Sequence, residues 1–138
     1  MATINDVTLI EIDSNSDSRG ALCPIEFSSL PIKPKRIFYV YGVTDRKTRG
    51  KHSHYKTGQI LICLRGECFV RCRDGYSSRD WTLNNPNVGL YIPRMIWDEQ
   101  IYMSEDTILL VIADTKYKKS DYIEDWEEYL KIVKSGEK

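Results

Sequence analysis

Between residues 7 and 113 the chain breaks into short runs rich in β-branched and aromatic residues, and turn residues separate them at intervals of roughly ten positions. That rhythm leaves little room for anything but an antiparallel sandwich or barrel. Residues 7–12 have strand composition, and 13–20 (Asp-Ser-Asn-Ser-Asp-Ser-Arg-Gly) predict a turn or loop. Residues 21–27 predict a second strand, and Pro24 within it points to an edge position or a bulge. An extended connection over 30–35 leads to a strong strand at 36–43, and a polar loop at 45–48 follows. Residues 59–64 and 67–73 predict a hairpin around Arg65-Gly66, and Asp74-Gly75 a tight turn. A short piece at 81–83, a turn at 84–87, and strands at 88–92, 95–103 and 107–113 complete the β series. In the run 68–73, Cys68, Val70 and Cys72 alternate with Phe69, Arg71 and Arg73, so one face is apolar.

The pattern changes at Ser120. A good N-cap, early acids, and Tyr122, Ile123, Trp126, Leu130 and Val133 at helical spacing predict one amphipathic helix over about 120–133, packed on the barrel. With 138 residues and no repeat or linker, residues 1–138 read as one domain with one core.

Lys+Arg and Asp+Glu are 20 each, so the net charge is zero and a general nucleic-acid binder is not expected. No apolar run approaches the ~20 residues that span a bilayer, and the N-terminus has neither a basic nor an apolar signal region. Cys23, Cys63, Cys68 and Cys72 form no Cys-x-x-Cys pair; they read as reduced core residues of a cytoplasmic protein.

The chain has two histidines, in Arg49-Gly50-Lys51-His52-Ser53-His54. On an extended strand, residues two apart point to the same face, so both imidazoles enter one space. That suits metal binding or proton transfer. The segment Gly50-x-His52-x-His54, four residues, Gln59, six residues, Gly66 resembles the first cupin motif, in which two histidines and a glutamate bind a metal inside a small β-barrel. The second motif is matched by Gly89-Leu90-Tyr91-Ile92-Pro93, with Met95 replacing its glycine and Asp98 its histidine. With Asp17-Ser18-Arg19-Gly20 and Arg36-Ile37-Phe38-Tyr39, the chain resembles the cupin-type dTDP-4-keto-6-deoxyglucose 3,4-ketoisomerases.

The resemblance implies an all-β, single-domain cupin jelly-roll barrel with one C-terminal helix. It implies a dTDP-linked keto sugar as substrate and no metal or other cofactor; from charge and hydropathy, no nucleic acid or membrane is expected as partner. It also implies a homodimer formed through N-terminal strands, which fits the isolated strand at 7–12. The four metal positions would be His52, His54, Gln59 and Asp98; glutamine is neutral and a weak ligand. Proton transfer asks less of them. His54 is the candidate base at C3 and acid at C4, and His52 the shuttle between O3 and O4. Asp98, in place of a histidine that lines the family's pocket, would orient an imidazole or bind a sugar hydroxyl. The arginine fork matches phosphate oxygens, so Arg49 and Arg36 are candidates for the pyrophosphate. Tyr39 would stack or hydrogen-bond, Arg19 approach the sugar, and Gln59 line the pocket. Three other readings stay open: a non-catalytic cupin that binds a sugar nucleotide or other small molecule, a metal-dependent oxygenase using two histidines and a carboxylate, and a 3,5-epimerase.

Overall fold

The computed structural model describes residues 1–136. Its strands are β1 (Thr8–Glu11), β2 (Asn15–Asp17), β3 (Gly20–Leu22), β4 (Arg36–Val40), β5 (Thr48–His54) and β6 (Gln59–Arg65). They continue with β7 (Cys68–Arg73), β8 (Ser78–Leu83), β9 (Val88–Ile92), β10 (Trp97–Tyr102), β11 (Ile108–Ala113) and β12 (Tyr122–Ile123). One helix, α1 (Trp126–Ser135), follows. Among the described residues two five-stranded sheets, ordered β1-β9-β6-β11-β4 and β12-β5-β10-β7-β8, form the body, and β2 pairs with β3 alone. Every pairing is antiparallel. This is the jelly-roll expected from the sequence.

The alternation in β7 sorts its side chains as expected. Cys68, Val70 and Cys72 are wholly buried and join Leu61, Cys63, Leu90, Leu109, Val111 and Tyr102 between the sheets. Strand β6 is covered on both faces. Leu61 and Cys63 point into the barrel, while Ile60 and Ile62 meet Ile12, Ile32 and Ile112 in a second cluster. Each such isoleucine is worth about 1.5–3 kcal/mol when fully buried. The free cysteines at 63, 68 and 72 are core residues, as read from their runs.

Four sequence expectations are corrected. Residues 59–64 and 67–73 do not form a hairpin: β6 pairs with β9 and β11, and β7 with β8 and β10. The Arg65-Gly66 turn instead carries the chain from one sheet to the other. Gly66 has φ +77°, and a Cβ there would lie 2.8 Å from the Thr107 Cα, so only glycine fits. Next, the predicted loop at 13–20 contains β2, and the strand predicted at 21–27 ends at Leu22. Pro24 has no N–H to donate, and residues 27–29 form a 3-10 turn.

The helix begins at Trp126, capped by the Asp125 side chain on Glu127 N (2.9 Å), not at Ser120. Tyr122 and Ile123 belong to β12, which satisfies the free edge of β5 by pairing with His54 and Ser53. The helix then packs Tyr129 and Val133 on Met95, Trp97 and Ile123. The Tyr129 hydroxyl donates to the Met95 carbonyl (2.8 Å).

Candidate active site

Strand β5 carries a bulge just before its histidines. In register with β10, Asp98 faces His52 and Glu99 faces Gly50, so Lys51 has no partner. Gly50 and Lys51 have φ of +82° and +56°. Bulges of this kind re-aim the side chains that follow. A Cβ on Gly50 would sit 3.1 Å from the Asp98 carbonyl oxygen, so the close approach of β5 to β10 needs glycine.

Beyond the bulge the two imidazoles lie 4.9 Å apart, edge to face. The Gly50 carbonyl lies 3.1 Å from Nδ1 of His52. A carbonyl can only accept, so it selects the Nδ1–H tautomer of the neutral ring and leaves Nε2 as the free lone pair. His54 is 4% exposed, and its Nε2 is buried without a hydrogen-bond partner among the described residues. Burial pushes its pKa down to about 4; the nearby His52 and Arg36 add to this and Asp121 opposes it. His54 is therefore a neutral imidazole at physiological pH.

Asp98 lies beside His52 and Cys72 in the cross-strand row and is almost wholly buried. Burial raises its carboxyl pKa, while His52 and a hydrogen bond from Gln100 pull it back. Gln100 Nε2 donates to Asp98 Oδ2 (2.9 Å), and the Tyr102 hydroxyl donates to Gln100 Oε1 (3.0 Å). That chain fixes the amide orientation and the carboxylate with it.

On the facing sheet, Arg36, Ala113, Gln59 and Ile92 form one row. Arg36 lies on the inner face, with its guanidinium 5.0 Å above Phe38 and 5.4 Å above Tyr117, and its Nε is buried without a hydrogen-bond partner among the described residues. Gln59 is 4% exposed. Arg49 stands opposite Gln100 on β5, close enough for its charge to act on Tyr102.

Two candidates are placed elsewhere. Tyr39 is three residues from Arg36, so the strand turns it to the outer face, where it is 64% exposed beside Tyr41. Arg19 sits on the β2–β3 hairpin, fully exposed and ion-paired to Asp17 at 2.7 Å.

One ring at the site is new. Tyr122 pairs with His54 across β12 and β5, and its ring lies 4.5 Å from His54 and 5.1 Å from His52. Its spacing to Trp126 is helical and places it in the C-terminal helix, so no pattern in the sequence singles it out. Among the described residues, no three His, Cys, Asp or Glu side chains converge as a metal-ligand set. A cavity of about 400 Å³ opens nearby between Tyr55, Lys56, Arg94, Lys116, Lys118 and Asp121, but neither histidine lines it. No histidine is among its lining residues, so the histidine pair is the stronger site for proton transfer.

A small antiparallel barrel with two histidines on one inner strand, answered by a polar residue across the sheet, defines a cupin. The chain belongs to the FdtA family (WxcM-like, C-terminal), whose model matches residues 5–134. It is 36% identical over 118 residues to the TDP-4-oxo-6-deoxy-alpha-D-glucose-3,4-oxoisomerase of Aneurinibacillus thermoaerophilus, with 85% of each chain covered. Among solved structures it resembles QdtA, a sugar 3,4-ketoisomerase of Thermoanaerobacterium thermosaccharolyticum in complex with TDP. The TM-score is 0.92 and the identity 36%, over 96% of this chain and 98% of that one. A dTDP-4-dehydrorhamnose 3,5-epimerase of Bacillus anthracis shares the fold at TM-score 0.77 and 15% identity, over 88% of this chain and 81% of that one.

Proposed function

We propose that the chain is a sugar-nucleotide 3,4-ketoisomerase that converts a dTDP-linked 4-keto-6-deoxyhexose to its 3-keto isomer by proton transfer. The observation that carries this reading is the pair of imidazoles packed at 4.9 Å, one dry and neutral and the other tautomer-fixed, with a buried carboxyl beside them. The likeness to 3,4-ketoisomerases along nearly the whole chain supports it.

The reaction moves two protons and no other atoms. His54 takes the proton from C3, acidified by the C4 ketone, and the C–H electron pair shifts to form a C3–C4 enediolate. The proton returns at C4. His52, with its free Nε2, moves the hydroxyl proton from O3 to O4. A pKa of about 4 makes His54 a poor base in the empty site. The developing enediolate changes this, because an anion beside the ring offsets the cost of charging it in a dry pocket. Asp98 holds the His52 side of the pair. Arg36 and Arg49 bind the pyrophosphate, and Gln59 lines the sugar pocket. Tyr39 and Arg19, turned outward within one protomer, have no part in this assignment.

The reading includes a homodimer in the cytoplasm. The buried free thiols favour a reducing compartment. Among the described residues no helix is long and apolar enough to cross a membrane. Incubation with dTDP-4-keto-6-deoxyglucose, with the product identified by NMR, tests the reading. A 3-keto product is expected; unchanged substrate refutes it, and a C5-inverted product turns the assignment to an epimerase.

A further inference from the structure

The Tyr122 ring closes a triangle with the two imidazoles. The three centroid separations are 4.9, 5.1 and 4.5 Å, and the rings meet at 79°, 70° and 61°. No pair is stacked flat, so each ring leans its edge on the next and the tilt of any one fixes the others.

Tyr122 is held in that corner by the segment that follows His54. Its own strand pairs it with His54. Asp121, one residue earlier, accepts from Lys56 N at Oδ1 (2.7 Å) and from the Thr57 hydroxyl at Oδ2. The Asp121 carbonyl accepts from Tyr55 N (2.9 Å). Four successive residues from 54 to 57 are thus tied to 121 and 122, and Asp121 is itself 8% exposed. The Tyr122 ring also meets Tyr117 at 5.8 Å, and Tyr117 carries the Arg36 guanidinium.

We propose that Tyr122 is a positioning residue for the ketoisomerase reaction: its ring, latched by Asp121, sets the angle of both imidazoles and excludes water from His54. The role belongs to the ring and not to the hydroxyl. It rests on the assignment of the histidine pair to proton transfer. Burial sets the charge state of His54 first, and the charged or titratable groups that act on it are His52 on its own strand, Asp121 in the latch and Arg36 on β4, with the Tyr122 ring as its cover. Removing the cover admits water, and hydration is what a buried imidazole lacks in order to accept a proton.

The experiment compares Tyr122→Phe, which keeps the ring, with Tyr122→Leu, which does not. Two readouts are taken on tag-free protein. The first is steady-state kinetics with the keto sugar nucleotide. The second is NMR of ¹⁵N-labelled imidazoles, which the two histidines of the chain make simple to read. Misplacing a reacting group by about an ångström costs on the order of 10²-fold, so Tyr122→Leu is expected to lose about that much in kcat, with KM within about threefold. Its His54 imidazole should titrate toward the ordinary ~6.5 instead of about 4. Tyr122→Phe should stay within about threefold in kcat and keep the low midpoint. Wild-type kcat and midpoint in Tyr122→Leu overturn the proposal. So does an equal loss in Tyr122→Phe, which would give the role to the hydroxyl. If Tyr122→Leu does not fold, Tyr122→Met takes its place, with the same two outcomes expected and the same results overturning the proposal. The NMR readout needs no substrate, so it tests the positioning role even if wild-type protein fails to turn over the sugar and the ketoisomerase reading falls.

Discussion

His54 is neutral because it is dry, and most of the chemistry at this site follows from that. Replacing it with Asn keeps the size and removes the titratable nitrogen. General acid–base catalysis is typically worth ~10²–10⁴-fold, so His54→Asn should lose at least that much in turnover with TDP affinity little changed. Near wild-type turnover, or failure to bind TDP, would remove His54 as the base. The same dryness links to stability. An unfolded histidine takes up its proton near pH 6.5, the folded one only near 4. Between these values the unfolded chain binds more protons, so stability falls as the pH is lowered through that window, by on the order of 3 kcal/mol at its acid end. Asp98 acts in the opposite sense. Its raised carboxyl pKa means the folded state binds the extra proton, which stabilises the fold toward low pH and fades as pH rises. The difference between wild type and His54→Gln in urea unfolding from pH 7 to 4 isolates the histidine; a pH-independent difference contradicts the burial argument. The donor set gives a third expectation. Gln59 is neutral, and burial disfavours the Asp98 anion, so the site is poorly suited to a divalent cation. Turnover should survive exhaustive chelation, and its loss and recovery with ferrous iron would refute metal-free proton transfer.

Strand β5 is the element that aims these residues, and the bulge at Gly50-Lys51 is its critical point. Gly50→Ala places a side chain at positive φ and against the Asp98 carbonyl, which should cost about 1–3 kcal/mol. It should also lower kcat more than TDP affinity, because Asp98 and His52 face one another one residue past the bulge. Unfolding and kinetics on the same variant test both parts, and wild-type values for both would mean the bulge is permissive. The His-x-His pair was legible because a period of two is a property of the chain alone. The inward face of β7 was legible for the same reason. The change of sheet at Gly66 was not: a hairpin and a crossover use the same glycine, and only the packing of Thr107 on that glycine distinguishes them. Nor was Tyr122, whose spacing to Trp126 satisfies a helix. What overrides that spacing is the open edge of β5, a partner more than sixty residues away in sequence. Tyr39 is set by the strand's alternation: three residues from Arg36 on β4, it falls on the opposite face.

At the scale of the whole molecule, the exposed apolar side chains between residues 9 and 27 need a cover. Strand β1 is the outermost strand of its sheet and, among the described residues, pairs only with β9. Leu9, opposite the core residue Leu90, is 54% exposed. The hairpin β2–β3 joins neither large sheet, and Leu22 and Phe27 beyond it are 63% and 53% exposed. An unpaired edge with apolar neighbours invites another strand. A second copy supplies an identical edge, and a two-fold arrangement closes on itself without leaving a further edge to grow. The expected species is therefore a homodimer through residues 8–27. That arrangement also gives the β2–β3 hairpin, with Arg19 at its turn, a surface to lie on. Sedimentation equilibrium at micromolar concentration should return twice the chain mass of 16.1 kDa, and Leu9→Glu should shift the protein toward monomer. A wild-type monomer at that concentration removes the dimer. A dimer unmoved by Leu9→Glu places the interface elsewhere, with the outer face of β4, where Ile37 and Tyr39 are exposed, the next surface to mutate.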